Sequence, residues 1–292
     1  MLVWSKSFSD SGMKTILDTL NGGTQWLEKR GVSDARRNMQ LLLCHRLDCT
    51  KIQLYTRFDE PLTEEMLVPL RDDLKRRGEG EPLQHILGTV EFYRRDFKSD
   101  SRALIPRPET EELVEMLVKD KELKPTRILD VGCGSGVIGL SLAAEYGEDA
   151  EITCVDISED ALALAKENAS LLGIKNVTFL QSNLLSNVEG GFDLIVANLP
   201  YVPEVDRSTL ARELAYDPDL ALYSGKDGLD LIRIFIQQLP NHLNNNATVA
   251  LEIGIHQHTE VEQLLAHAGF SGIRTENDLS GIARFPFATY SA

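Results

Sequence analysis

The sequence predicts an α/β fold: a mostly parallel sheet with helices on both faces, preceded by a small helical bundle and a linking β-hairpin. Two observations predict it. After about residue 125, short apolar runs alternate with amphipathic stretches, which is the pattern of parallel strands joined by helices. Before about residue 87, apolar residues recur every three or four positions, and no strand-like run interrupts them.

The composition indicates a globular protein and argues against nucleic acid, metal and membrane binding. The chain has 292 residues, 42% of them apolar and 26% charged, which suits one large globular domain or two ordinary ones. The net charge of -15 gives no basic field for a phosphate backbone, so direct nucleic acid binding is not expected. The four cysteines form no Cys-x-x-Cys pair, and no metal site is predicted. The scattered cysteines favour a reduced, cytoplasmic interior. No apolar run approaches the roughly 20 residues that span a bilayer, so no membrane partner is expected, and we expect a monomer.

Three segments are predicted. Residues 1–87 form a helical substrate-recognition domain of four or five short helices, with Ser33 and Thr63 as plausible N-caps. Residues 88–104 mix aromatic and polar residues in a manner typical of a hairpin linker. Residues 105–292 form the sheet domain.

The sheet domain is predicted element by element. Pro108 fits the first turn of its first helix. Strands are predicted over 127–131, 151–155, 177–181, 192–197 and 247–253, and helices over 137–146, 159–171, 228–239 and 257–268. Short apolar runs at 272–273 and 282–287 predict edge strands.

A glycine-rich loop follows the strand at 127–131, and its residues are Gly132, Cys133, Gly134, Ser135 and Gly136. Glycines let the backbone turn sharply and approach a ligand, and the next helix offers unpaired amides, so a nucleotide-like ligand is expected. Gly134 to Gly139 alone matches the dinucleotide fingerprint of NAD enzymes. The added Gly132, with Asp130 two residues earlier, instead resembles the first motif of Rossmann-like methyltransferases that use S-adenosyl-L-methionine (AdoMet).

Residues at the ends of the next two strands are suited to bind the ribose and the adenine of a nucleotide-like ligand. Asp156 can accept hydrogen bonds from both hydroxyls of a ribose, which NAD and AdoMet share. The following helix is better capped by Ser158 than by Asp156. Asn183 and Leu184 are expected at the adenine edge. AdoMet is the predicted cofactor.

The tetrapeptide Asn198-Leu199-Pro200-Tyr201 follows the strand at 192–197. An amide or base nitrogen has a delocalised lone pair, so its methylation needs orientation rather than a strong base. The Asn198 side-chain oxygen can accept one N–H and the Leu199 carbonyl the other, while Tyr201 can stack on the planar group. Asn198 is also expected beside the cofactor. These residues predict methyl transfer to a planar nitrogen.

Nearly the whole chain resembles the HemK/PrmC-type protein-(glutamine-N5) methyltransferases. The matching segments are Glu81 to Gly88, Leu104 to Glu111, Gly225 with Asp227 to Asp230, Leu251 to Gly254 with Gln257, and Asp278-Leu279 with Gly281-Ile282 and Arg284. The resemblance implies methyl transfer from AdoMet to the glutamine in the Gly-Gly-Gln loop of peptide-chain release factors, with the helical domain helping to hold that substrate. It also implies that Arg107 and Glu109 lie beside the active cleft.

Two departures and two alternatives accompany the resemblance. Leu199 stands where the family usually has proline, and Asn183 where it usually has aspartate. Asn-Leu-Pro-Tyr also resembles the clamp of rRNA adenine dimethyltransferases, although the acidic balance opposes an RNA substrate. A silent AdoMet-binding module that docks on release factors is the other alternative, which the presence of Asn198 and Tyr201 opposes.

Overall fold

A computed structural model describes residues 14–208 and 212–291. The chain divides into two compact units, a helical unit (Met1–Leu87) and a sheet unit (Gly88–Ala292). The predicted helical repeat begins at about residue 10, so its first few residues lie outside the described part.

The described part of the helical unit contains five α-helices, in agreement with the predicted four or five. They are α1 (Ile16–Glu28), α2 (Ala35–Leu47), α3 (Lys51–Thr56), α4 (Glu64–Gly78) and α5 (Leu83–Leu87). Their apolar faces meet in one core, because residues three or four apart lie on the same side of a helix. The core includes Ile16, Leu20, Leu27, Met39, Leu42, Leu43, Leu54, Leu70 and Leu74.

The two predicted N-caps have different outcomes. Thr63 is the N-cap of α4, and its hydroxyl accepts a hydrogen bond from the amide of Met66, which confirms that prediction. The prediction for Ser33 is wrong. The N-cap of α2 is Asp34, whose φ of 49° is left-handed, and no side chain accepts a hydrogen bond there. The turn before α2 therefore extends one residue beyond the serine.

The sheet unit begins with a hairpin. Strands β1 (Thr89–Phe92) and β2 (Arg95–Lys98) pair in antiparallel fashion. Tyr93 and Arg94 join them, with φ values of 44° and 63°. A two-residue turn with both residues left-handed matches the right-handed twist of the strands that it connects.

A seven-stranded sheet follows, in the order β5-β4-β3-β6-β7-β9-β8. Its strands are β3 (Arg127–Val131), β4 (Glu151–Asp156), β5 (Val177–Gln181), β6 (Phe192–Asn198), β7 (Leu243–Glu252), β8 (Ser271–Asn277) and β9 (Ala283–Thr289). Strands β3 to β7 are parallel to one another, which confirms the predicted mostly parallel sheet. The prediction of an edge strand at 282–287 is wrong, because β9 lies between β7 and β8 and is antiparallel to both. Strand β8 forms this edge of the sheet, and β5 forms the other.

Helices cover both faces of this sheet. The helices are α6 (Pro108–Lys119), α7 (Val137–Tyr146), α8 (Glu159–Leu172), α9 (Asp230–Gln238) and α10 (His258–His267). Ile128 of β3 belongs to the core under α6, α7 and α8, whereas its neighbour Leu129 belongs to the core under α9 and α10. Among the described residues, no helix is long and apolar enough to cross a membrane.

The strand order reverses at β3. Strands β4 and β5 lie on one side of it, and β6 and β7 lie on the other. Open parallel sheets have a crevice at the carboxyl ends of the strands where the order reverses, and ligands bind there. The ends of β3, β4 and β6 are therefore where a site is expected.

The hairpin is anchored by two aromatic side chains. Phe92 and Phe97 are 1% and 0% exposed, and their rings meet edge to face with centroids 6.0 Å apart. We expect Phe97→Ala to lower the free energy of unfolding by roughly 3–5 kcal/mol, because it removes a buried ring and leaves a cavity. Urea titration followed by circular dichroism measures this. Asp96→Ala, at an exposed position of the same strand, is the control and should change stability by less than about 0.5 kcal/mol.

Candidate active site

The glycine-rich loop leaves the carboxyl end of β3 in a conformation that needs glycine. Gly132, Gly134 and Gly136 have φ values of 69°, 55° and 82°, which residues with a Cβ rarely adopt. A Cβ on Gly132 would also lie 3.0 Å from Cδ2 of Leu199. The amides of Gly132 and Cys133 both donate to the Val155 carbonyl at 2.9 Å, which fixes the loop against β4.

Asp130 lies beneath this loop and not on the cleft wall. Its side chain is fully buried, and Oδ2 accepts the Gly139 amide at 2.8 Å. Burial raises the pKa of this carboxyl to about 7, although the hydrogen bond from Gly139 opposes the shift. Asp130 therefore holds the first turn of α7 in place. The sequence predicts that Asp130 contacts the cofactor directly, but its side chain lies behind the loop that lines the cleft.

Asp156 ends β4 and faces the cleft. Oδ2 accepts the Gly134 amide and Oδ1 the Ser158 amide, each at 2.9 Å. Burial raises its pKa, and the amide donors oppose the increase. The hydroxyl of Ser158 accepts from the Ala161 amide, so the prediction that Ser158 caps α8 is confirmed. Asp156 thus links the glycine loop to the start of α8.

One cleft gathers most of the predicted site residues. It encloses about 1090 Å³, counting the solvent space at its mouth. The predicted residues on its wall are Arg107, Gly132, Cys133, Gly134, Ser135, Asp156, Asn183, Leu184, Asn198, Leu199 and Pro200. The predicted residues that do not line it are Glu109, Asp130, Gly136 and Tyr201.

The sequence predicts no role for several other residues of the wall. They include Leu104, Pro106, Thr110, Ile157, Ser182 and Leu220. Ile157 and Ser182 are next to Asp156 and Asn183 in the chain, so their positions follow from those of their neighbours. Thr110 belongs to the segment Leu104 to Glu111 that carries the family resemblance, which is a signal for its position, whereas Leu220 had no such signal.

The tetrapeptide 198–201 is connected to a buried carboxylate. Asn198 Nδ2 donates to Thr110 Oγ1 at 3.2 Å, and that hydroxyl donates to Glu252 Oε2 at 2.7 Å. The Tyr201 hydroxyl donates to Glu252 Oε1 at 3.3 Å. Burial and, to a smaller extent, the negative charge of Glu252 raise the pKa of Tyr201 well above its usual value, so its phenol is neutral.

Arg107 and Asp217 form an ion pair at the cleft. Arg107 Nη2 lies 2.9 Å from Asp217 Oδ2, and the Asp217 side chain is only 1% exposed. The Ile105 amide donates to the other carboxylate oxygen at 3.3 Å. Burial raises the pKa of Asp217 to about 6, and the charge of Arg107 opposes this. Arg107 thus lines the cleft while its charge is paired with Asp217. Glu109 does not line the cleft.

The donor atoms at this cleft are those of a nucleotide site and not of a metal centre. Within residues 14–208 and 212–291, no group of three or more His, Cys, Asp or Glu side chains could hold a metal ion. Glycine amides, a strand-ending carboxylate and an apolar edge at Leu184 fit the methionine, ribose and adenine portions of AdoMet.

Comparisons with known proteins agree with this assignment. Residues 122–269 match the family model "Methyltransferase domain", and residues 18–88 match the "PrmC N-terminal domain". The fold is similar to that of a methyltransferase from Pyrococcus furiosus, with a TM-score of 0.50 and 17% identity over 68% of this chain and 89% of that one. The chain is an enzyme with a methyltransferase domain, and AdoMet is its cofactor.

Curated relatives match over almost the whole chain. A release factor glutamine methyltransferase from Deinococcus radiodurans is 37% identical over 92% of this chain and 96% of its own length. One from Geobacter sulfurreducens is also 37% identical, over 93% of this chain and 94% of its own. This chain therefore belongs to the release factor glutamine methyltransferase family.

Proposed function

We propose that this chain transfers a methyl group from AdoMet to the side-chain amide nitrogen (N5) of the glutamine in the Gly-Gly-Gln loop of peptide-chain release factors, and thereby modulates translation termination. One observation carries the proposal. Asn198 and Leu199 lie on the wall of the same cleft as the glycine loop and Asp156. Residues suited to the methyl donor and residues suited to an amide acceptor thus share one cleft.

The cofactor-binding roles follow from the positions on that wall. The loop from Gly132 to Gly136 approaches the methionine portion, and Asp156 accepts hydrogen bonds from the ribose. Each Asp156 oxygen receives one amide within the protein, and a carboxylate oxygen can accept more than one hydrogen bond. Asn183 and Leu184 contact the adenine.

The acceptor residues orient the substrate amide. Bound AdoMet supplies an electrophilic methyl group on its sulfonium. Asn198 Oδ1 accepts one N–H of the glutamine amide and the Leu199 carbonyl accepts the other, which points the nitrogen lone pair at the methyl carbon. Tyr201, with its hydroxyl held by Glu252, contacts the planar amide. The nitrogen would form the new N–C bond as the bond between the methyl carbon and the sulfonium sulfur breaks, with the electron pair staying on sulfur, and would then lose one of its two protons to solvent.

The remaining assignments concern the substrate protein. Residues 1–87 recognise the release factor, 88–104 link the domains, and 105–292 carry out the transfer, with Arg107 and Glu109 contributing to substrate binding. The net charge of -15 supports a protein substrate rather than RNA. We propose that the enzyme acts as a monomer in the cytoplasm.

The proposal is tested with labelled AdoMet and three substrates: purified release factor, its variant with alanine in place of the loop glutamine, and bare rRNA. We expect label on the loop glutamine alone, identified by mass spectrometry of the digested release factor. Label on rRNA adenine would favour the adenine methyltransferase alternative, and binding without any label would favour a silent docking module.

Asn198→Ala should abolish turnover and leave AdoMet binding unchanged, because it removes an acceptor for the substrate amide. The single-turnover rate constant should fall by at least about 100-fold, the typical effect of losing one group that orients or stabilises the reacting atoms. Calorimetric titration with AdoMet checks the binding. Asn241→Ala, an exposed asparagine outside the cleft, is the matched control. A wild-type rate in Asn198→Ala would rule out the proposed clamp.

Asp156→Ala should weaken AdoMet binding by roughly 10- to 100-fold, since a charge-assisted hydrogen bond contributes about 1.5–3 kcal/mol. The dissociation constant is measured by calorimetry. Asp160→Ala changes an exposed aspartate in the first turn of α8 and should bind AdoMet almost normally. Equal affinities for the two variants would contradict the ribose assignment.

A further inference from the structure

A buried carboxylate lies directly behind the acceptor residues. Glu252 is the last residue of β7, is 1% exposed, and is the register partner of Asn198 on β6. Its two oxygens receive the hydroxyls of Thr110 and Tyr201 at 2.7 Å and 3.3 Å. One side chain is thus connected to both ends of the tetrapeptide 198–201.

Several groups face this carboxylate. Burial raises its pKa, while the Thr110 hydroxyl, the positive charge of Arg284 and the Tyr201 hydroxyl act in the opposite direction. Glu109 adds a smaller effect that raises the pKa. The net effect is a raised pKa. The two hydroxyl donors stabilise the charged form of this buried carboxylate, and Arg284, itself paired with Asp278 at 2.9 Å, adds a positive charge.

A carboxylate fixes the direction of the hydrogen bonds that end on it. It can only accept, so Thr110 must donate its single hydroxyl proton to Glu252. The Thr110 oxygen can then only accept from Asn198, and Nδ2 lies 3.2 Å from it. The flipped amide would set Asn198 Oδ1 against another acceptor. Asn198 therefore presents Nδ2 to Thr110, and Oδ1 is left for the cleft.

We infer that Glu252 and Thr110 are positioning residues for the transfer reaction: the carboxylate sets the direction of the Thr110 hydroxyl, which holds the Asn198 amide with its oxygen available to the substrate. The inference rests on the proposed function, because the group being oriented is the acceptor for the glutamine N–H. The same carboxylate accepts the Tyr201 hydroxyl, so a single buried group is connected to two of the proposed acceptor residues.

Isosteric substitutions separate this role from packing. Thr110→Val keeps the shape of the side chain and removes the hydroxyl, whereas Thr110→Ser keeps the hydroxyl and removes a methyl group. Glu252→Gln keeps the shape and lets an amide donate to Thr110, which would leave the threonine proton free to reach Asn198 Oδ1 and favour the flipped amide.

The rate experiment compares these variants at saturating release factor and AdoMet. Thr110→Val and Glu252→Gln should lower the single-turnover rate constant by about 10-fold or more, with AdoMet affinity within about twofold of wild type. Thr110→Ser should recover most of the rate. The double variant Thr110→Val/Glu252→Gln should be no slower than the slower single variant, because Thr110→Val removes only the hydrogen bond that Glu252→Gln already changes. Thr178→Val and Glu159→Gln, at exposed positions outside the cleft, are the matched controls.

A second measurement does not depend on activity. The side-chain amide signal of Asn198, assigned by its loss in Asn198→Ala, is followed by ¹⁵N–¹H NMR. It should shift in Thr110→Val and Glu252→Gln but stay close to its wild-type position in Thr110→Ser. An unmoved signal in Glu252→Gln, or a wild-type rate in Thr110→Val, overturns the inference. A wild-type enzyme that methylates no glutamine would overturn the proposed function, and the NMR comparison would still decide the orientation of Asn198.

Discussion

The parallel pairing of β6 with β3 on one side and with β7 on the other is the constraint on which the site depends. In this register Val131 pairs with Ala197, and Asn198 pairs with Glu252. The glycine loop begins directly after Val131 and the acceptor tetrapeptide directly after Ala197, so the register alone makes them neighbours. A slip of one residue would move every side chain of β6 to the opposite face and separate Asn198 from Thr110.

Buried carboxylates recur around this edge of an acidic protein, whose acidic side chains would mostly be expected in water. Asp130 holds the Gly139 amide, Asp217 holds the Ile105 amide and Arg107, and Glu252 holds two hydroxyls. Burial costs each carboxylate its hydration, and such groups add little net stability. Their role is to orient other groups, since each carboxylate accepts hydrogen bonds from N–H or O–H groups near the cleft and so fixes where those groups point.

Much of this could be predicted from the sequence because the signals are local. The strand at 127–131 and the helix at 137–146 have the predicted bounds, since apolar runs and glycines mark both. Thr110 and Glu252 are 142 positions apart in the chain, and no local sequence pattern predicts that they form a hydrogen bond. The pairing of β9 with both β7 and β8, and the left-handed Asp34, likewise depend on distant or competing contacts.

Leu199 shows how packing can replace a covalent restraint. Proline at this position would fix φ through its ring. The leucine side chain is instead 3% exposed, and its Cδ2 lies 3.0 Å from the place where a Cβ on Gly132 would stand. Leucine therefore fills the space that the glycine leaves, and both residues are limited by the same contact. Because the loop and the tetrapeptide lie this close, burial of the Leu199 side chain restrains the backbone beside Asn198 that a proline ring would otherwise restrain.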